Sequence, residues 1–205
     1  MIGVIDYGMG NLRSVANAFY ENGLEVEVIS EPDRLEDYSH LVLPGVGHFG
    51  KAVKNIDERG FRGPLAALAA AGRPMLGLCV GMQLLAEVGT EGGESRGLGL
   101  VAGRVTAIPP APGKRIPHVG WNELNIQRDH PVFNGLKQGR DFYFVHSYQF
   151  DVADPDNLLG STDYEGQVTA VVGRANVIGF QFHPEKSQVN GAKLLENFAD
   201  WDGVC

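Results

Sequence analysis

The chain has 205 residues, 43% hydrophobic and 20% charged, which is the composition of an ordinary soluble globular protein. Its net charge of −8 at pH 7 argues against a broad nucleic-acid surface, and no RRM, zinc-finger or helix-turn-helix signature occurs. The two cysteines, Cys79 and Cys205, give no disulfide framework and fit a reducing, cytoplasmic compartment, and neither they nor the six histidines have metal-type spacing. The run from Met1 to Asp6 has no basic leader, so no signal peptide is expected. The longest apolar stretch, around Leu76 to Ala86, contains Gln83 and is too short to span a bilayer.

In chain order, Ile2 to Ile5 reads as a strand and Asn11 to Tyr20, with Leu12, Val15, Ala16 and Phe19, as a helix with one apolar face. Val26 to Ile29 and Leu41 to Leu43 are strands again. Helices are expected at roughly Lys51 to Glu58 and Arg62 to Ala71, leading into the apolar run Pro74 to Leu78. After Cys79, the spacing of Val80, Met82, Leu84, Leu85 and Val88 predicts a further helix. Strands alternating with helices indicate βαβ units and a parallel sheet, whose ligands collect at the carboxyl ends of the strands. Three glycine-bearing turns fall there: Asp6 to Asn11, Pro44-Gly45-Val46-Gly47, and the turn at Cys79.

From about Gly97 the texture changes. Val101 to Ile108, Phe142 to Phe150, Leu158 to Ser161, Val168 to Val172 and Val177 to Phe182 are strand-like with short connections, predicting an added antiparallel layer. Pro109 to Gly113, with Pro112 among its prolines, reads as a stiff exposed loop, and Ala192 to Trp201 as a last helix. No repeat or low-complexity tract divides the chain. The expectation is one α/β domain over residues 1–205, an open, mostly parallel sheet flanked by helices with antiparallel strands added in the C-terminal half.

The chemistry concentrates at Cys79. Gly77 and Gly81 flank it two residues away on each side, removing the Cβ atoms that would crowd a strand-to-helix turn. A thiol at a helix N-terminus is also favoured as the thiolate. His183, at the end of the expected strand Val177 to Phe182, would emerge where this turn opens, and Glu185 follows past Pro184. A Cys-His-Glu set gives a nucleophile, a proton carrier and a group that orients the imidazole. Taken singly, Cys79 could be an inert core thiol, His183 a turn residue and Glu185 a solvated carboxylate. The glycine frame and the His-Pro-Glu segment together favour catalysis. For the developing oxyanion, the backbone N–H of Val80 and one from Val46 or Gly47 are candidate donors.

Gly77-Leu78-Cys79-Val80-Gly81-Met82-Gln83, Pro44-Gly45-Val46-Gly47 and His183-Pro184-Glu185 resemble the class I (triad) glutamine amidotransferases. Within that class, Ile5 to Leu12, Pro117 to Asn122, Tyr143 to Tyr148 and Gly179 to Gln188 resemble the glutaminase subunits of imidazole glycerol phosphate synthases, and the likeness spans essentially the whole chain. The resemblance implies a flavodoxin-like fold, no cofactor, and hydrolysis of glutamine to glutamate and ammonia through a glutamyl thioester on Cys79. It implies substrate contacts for Gln83, which lies one helical turn after the nucleophile, for Ser147 and Tyr148 through main-chain groups, and for Glu91 on the amino group. It implies a heterodimer with a (β/α)8-barrel cyclase subunit, which uses the ammonia to make imidazole glycerol phosphate and an aminoimidazole carboxamide ribotide in histidine biosynthesis. Asn11, Trp121, Asn122, His146 and Lys186 then fall near the interface. A peptide flip at Gly45-Val46-Gly47, biased by ligand on the partner, would switch activity. Two features depart from the pattern. His48 stands where a small residue is expected, which touches the tightness of that gate, and Cys205 reads as a frayed terminus without a role. Two rivals remain: a paralogous glutaminase feeding a surface-polysaccharide amidotransferase, and a non-catalytic scaffold of the same fold. A redox-sensing cysteine protein is disfavoured by Gln83 and the His-Pro-Glu turn.

Overall fold

The computed structural model describes residues 1–111 and 113–204. Pro112 of the expected proline loop and Cys205 lie outside the described residues. The first half runs β1 (Ile2–Ile5), α1 (Leu12–Glu21), β2 (Val26–Ile29), β3 (His40–Gly45), α2 (Phe49–Glu58), α3 (Arg62–Ala70), β4 (Met75–Cys79) and α4 (Val80–Leu84). The second half is mostly strand: β5 (Val88–Gly89), β6 (Ser95–Arg96), β7 (Gly103–Ala107), β8 (His118–Ile126), β9 (Arg140–His146), β10 (Tyr148–Val152), β11 (Leu158–Asp163), β12 (Gln167–Arg174) and β13 (Val177–Phe180), closed by α5 (Gln188–Asp200).

The main sheet has nine strands in the order β2-β1-β3-β4-β13-β12-β11-β8-β9. From β2 to β13 neighbours are parallel, and from β13 to β9 they are antiparallel. A second sheet, β10-β7-β5-β6, lies apart from it. Successive side chains of a strand point to opposite faces, and β4 shows the consequence. Met75 and Cys79 join the core shared with Phe49, Ile56 and Leu65, which the small sheet extends through Val105 and Phe150. Leu76 and Leu78 join the other core, with Val15 and Phe19 of α1 and Leu194, Leu195 and Phe198 of α5. No helix among the described residues is long and apolar enough to cross a membrane.

Three departures from the sequence reading have identifiable causes. The helix after Cys79 ends at Leu84, and Val88 belongs to β5. The carbonyls of Leu84, Leu85, Ala86 and Glu87, which a longer helix would use, accept instead from Leu98, Leu100, Gly99 and Gly97. The run Phe142 to Phe150 is two strands in two sheets, with Ser147 between them. The third departure is β8, for which no strand was expected. Its exposed Val119 and Trp121 and its polar Asn122 and Asn125 blur the alternation.

Candidate active site

Cys79 ends β4 with φ 53° and ψ −111°, a backbone conformation that costs a non-glycine residue about 1–3 kcal/mol. The flanking glycines make this turn sterically feasible. A Cβ on Gly81 would lie 1.7 Å from the Leu43 carbonyl oxygen, and one on Gly77 would lie 2.6 Å from the Gly81 carbonyl oxygen. The register of the sheet brings the other groups to the sulfur. Gly45 of β3 pairs with Cys79 on one side, and on the other Phe180 of β13 pairs with Leu78, so the chain beyond Phe180 runs past the turn.

His183 Nδ1 hydrogen-bonds Glu185 Oε1 at 2.8 Å, and both side chains are buried. Burial pulls the His183 pKa down. Hydrogen bonds to Cys79 and Glu185, together with their negative charges, outweigh it and raise the value to about 10. Cys79 Sγ also lies 3.9 Å from the Val145 carbonyl oxygen and 3.8 Å from Gln181 Nε2.

A cavity of about 290 Å³ opens above the sulfur, lined by Cys79 and His183 together with Val46, Gly47, Val80, Gln83, Glu91, Ser147 and Tyr148. Gly45 lies behind it, packed so closely that a Cβ there would sit 2.6 Å from the Tyr7 hydroxyl. Gln83 is buried and donates to the Tyr148 carbonyl at 3.2 Å and to Gln181 Oε1 at 3.0 Å. Glu91 accepts from the Phe49 amide at 2.6 Å, so one oxygen is engaged at the start of α2. The Ser147 carbonyl accepts from the Ile108 amide.

The five residues expected near a partner divide. Trp121 is 47% exposed and Lys186 is exposed, its ammonium 5.9 Å from the Tyr143 ring centre. Asn11 is exposed and caps α1. Asn122 is half-buried and hydrogen-bonds His118 and the Asp163 carbonyl, while His146 is buried against His118. His48 serves as the N-cap of α2, accepting from the Gly50 amide at 3.1 Å. Sequence reasoning missed Gln181, Tyr7 and His118. Gln181, alone and polar between Phe180 and Phe182, carried a signal; the other two become visible only in three dimensions. Among the described residues the buried Tyr7 hydroxyl has no hydrogen-bond partner, and burial first, then the charge of Cys79, pushes its pKa upward. Among the described residues, no group of three or more His, Cys, Asp or Glu could hold a metal ion.

A family model described as glutamine amidotransferase class-I matches residues 3–201. A protein of Desulfitobacterium hafniense (strain DSM 10664 / DCB-2), named imidazole glycerol phosphate synthase subunit HisH, is 47% identical over 98% of this chain and 94% of its own. One of the same name from Sulfurimonas denitrificans is 43% identical over 98% of both chains. A crystal structure of a glutamine amidotransferase superposes with a TM-score of 0.79 at 21% identity, covering 99% of each chain. The structure of PurLQS from Thermotoga maritima does so with 0.75 at 22% identity, covering 97% of each. At these identities the two structures speak for the fold alone.

Proposed function

The chain belongs to the class-I glutamine amidotransferases, and from that membership we propose how its residues act. The protein hydrolyses glutamine to glutamate and ammonia and serves as the glutaminase subunit of an imidazole glycerol phosphate synthase. The observation that carries the residue assignment is Cys79, held at positive φ at a strand end and lining one cavity with a buried imidazole that Glu185 orients.

The Cys79 thiolate attacks the side-chain amide carbon, and the oxygen takes the negative charge. Backbone N–H groups of Val80 and of the Gly45-Val46-Gly47 turn are the donors for that oxygen. The protonated His183 gives its proton to the nitrogen as the C–N bond breaks, releasing ammonia and leaving a thioester. The neutral imidazole then takes a proton from water, whose oxygen attacks the thioester. Collapse releases glutamate and restores the thiolate beside the cationic His183. Glu185 keeps the imidazole in one orientation and stabilises its charge throughout. Gln83 holds the Tyr148 carbonyl, and so the Ser147–Tyr148 wall, against the helix that carries the nucleophile. Glu91 and the main chain of Ser147 and Tyr148 are assigned to the amino-acid end of glutamine.

The two HisH relatives are named as synthase subunits, which supports a partner. We infer that the partner is a (β/α)8-barrel cyclase subunit, and that it docks over Trp121, Lys186 and Asn11, with Asn122 and His146 behind that surface. Ammonia passes to it for synthesis of imidazole glycerol phosphate in histidine biosynthesis. A single domain belongs to the same reading, since both cores share β4, and a cytoplasmic location goes with the biosynthetic role proposed. Two measurements test it. A glutamine-analogue electrophile should form one covalent adduct on Cys79, and its absence by mass analysis would leave only a scaffold. Glutamate release should be slow from the isolated chain and rise with the cyclase subunit and its ribotide. Full turnover of the chain alone rules out a gated oxyanion turn.

A further inference from the structure

The pairing of β8 with β9 sets His118 opposite His146. Both rings are buried, and His118 Nδ1 lies 2.9 Å from His146 Nε2. At one end of the pair, His146 Nδ1 lies 2.8 Å from the Tyr148 carbonyl oxygen, which can only accept. At the other, His118 Nε2 lies 2.8 Å from Asn122 Oδ1. The Asn122 amide nitrogen is committed to the Asp163 carbonyl at 3.1 Å, which fixes the amide orientation and makes this end an acceptor too. Four ring nitrogens in a row, with an acceptor at each end and one hydrogen bond between the rings, need three hydrogens. Two neutral imidazoles bring two. The arrangement is complete only when one ring is a cation.

His118 is the ring placed to be that cation. Phe144 stacks on it with centroids 4.9 Å apart at 15°, and Tyr164 stacks on it at 3.8 Å and 18°. The negative faces of aromatic rings favour a cation between them. His146 has no such faces in parallel, and burial pushes its pKa down to about 3, which keeps it neutral. Burial also lowers the His118 pKa, and the bond to Asn122 opposes that.

We propose that His118 holds a resident proton and, through His146, fixes the Tyr148 carbonyl, making His118 a positioning residue for the Ser147–Tyr148 wall. The part of this that concerns glutamine rests on the function proposed above. The wall is then held from two sides, by Gln83 and by a two-ring chain that starts at Asn122, beside the exposed Trp121. The other titratable groups facing the pair are few. The Lys114 ammonium lies 5.7 Å from the Tyr164 ring centre and lowers the His118 pKa by its charge. His183 faces His146 and acts on it in the same sense. The Tyr164 hydroxyl donates to the Arg115 carbonyl, and the Asp163 carboxylate accepts from the Gly166 amide. As pH rises and His118 loses its proton, two hydrogens cannot serve both ends and the contact between the rings, and the wall loosens.

Nitrogen-15 NMR of the full chain, labelled in histidine, reads the pair without reference to glutamine. The net shift of His118 is downward, so the proton is read on the acid side: at pH 5 both His118 nitrogens should be protonated, and His146 should carry hydrogen on Nδ1 alone. Two neutral rings at pH 5, or the cation on His146, overturns the proposal. For the link to the wall, His118→Asn keeps an amide donor toward His146 but cannot titrate. In the complex with the cyclase subunit it should keep kcat and low-pH KM for glutamine while losing the rise of KM with pH that the parent should show. His118→Leu, which removes the donor, should raise KM about fivefold at all pH values. A pH profile of KM for His118→Asn that matches the parent overturns the positioning role, whether or not His118→Leu folds.

Discussion

Cys79 and Val46 face the same cavity from two unlike supports. The nucleophile ends a fully buried strand, and its turn tolerates no side chain at Gly77 or Gly81. The Gly45-Val46-Gly47 turn leaves the sheet at once: Val46 is 42% exposed, and a Cβ on Gly47, which has φ +99°, would meet only the Met9 methyl at 3.3 Å. Beyond Gly47 the chain is pinned again, by His48 capping α2 and by Glu91 on the Phe49 amide. The difference teaches that the attacking side is built to stay in place, while the side proposed to stabilise the oxyanion has room for its peptide groups to turn.

Four substitutions break or sharpen this contrast. Cys79→Ala should remove glutamate release on the order of 10⁴-fold or more while the protein still folds and binds glutamine, checked by turnover and calorimetric titration. Glu185→Gln should lower kcat on the order of 10³-fold, because the imidazole loses both its orientation and its counter-charge. The same variant has a pH signature. The folded-state pKa of His183 is raised, to about 10, so the stability from its ion pairing is full below the unfolded value of 6.5 and is lost as pH climbs toward 10. The melting-temperature gap between parent and Glu185→Gln should therefore narrow across that window.

On stability, Gly81→Ala should cost about 3 kcal/mol in urea unfolding, because backbone meets backbone and neither can give way. His48→Ala should cost only about 1 kcal/mol, the loss of one cap at the start of α2. If Gly81→Ala proved as mild as His48→Ala, the rigid side of the contrast would be wrong.

The parts most legible in the sequence were short apolar runs. Ile2–Ile5, buried throughout, read directly as a strand covered on both faces, and Val26–Ile29 read as one from its β-branched residues although it is the half-exposed edge strand. Cys79, His183 and Glu185 could be singled out because glycine and proline punctuate their neighbourhoods in ways an ordinary core does not need. What stayed hidden depended on partners distant in the chain. The stop of α4 is made by Gly97 to Leu100, and the change of sheet at Ser147 by β7 claiming β10. His118 gave no sign of its place because its meaning lies in the β8–β9 register and in two aromatic rings from other segments. A periodicity search sees only neighbours along the chain.

The positive φ of Cys79 has a consequence for engineering. Glycine adopts that backbone without strain, so the variant most comfortable at this position is one that cannot catalyse. Thermal tolerance and turnover pull in opposite directions at this residue. A library screened for heat resistance alone would drift toward inactive proteins, and any thermostabilisation campaign on this scaffold should hold position 79 constant.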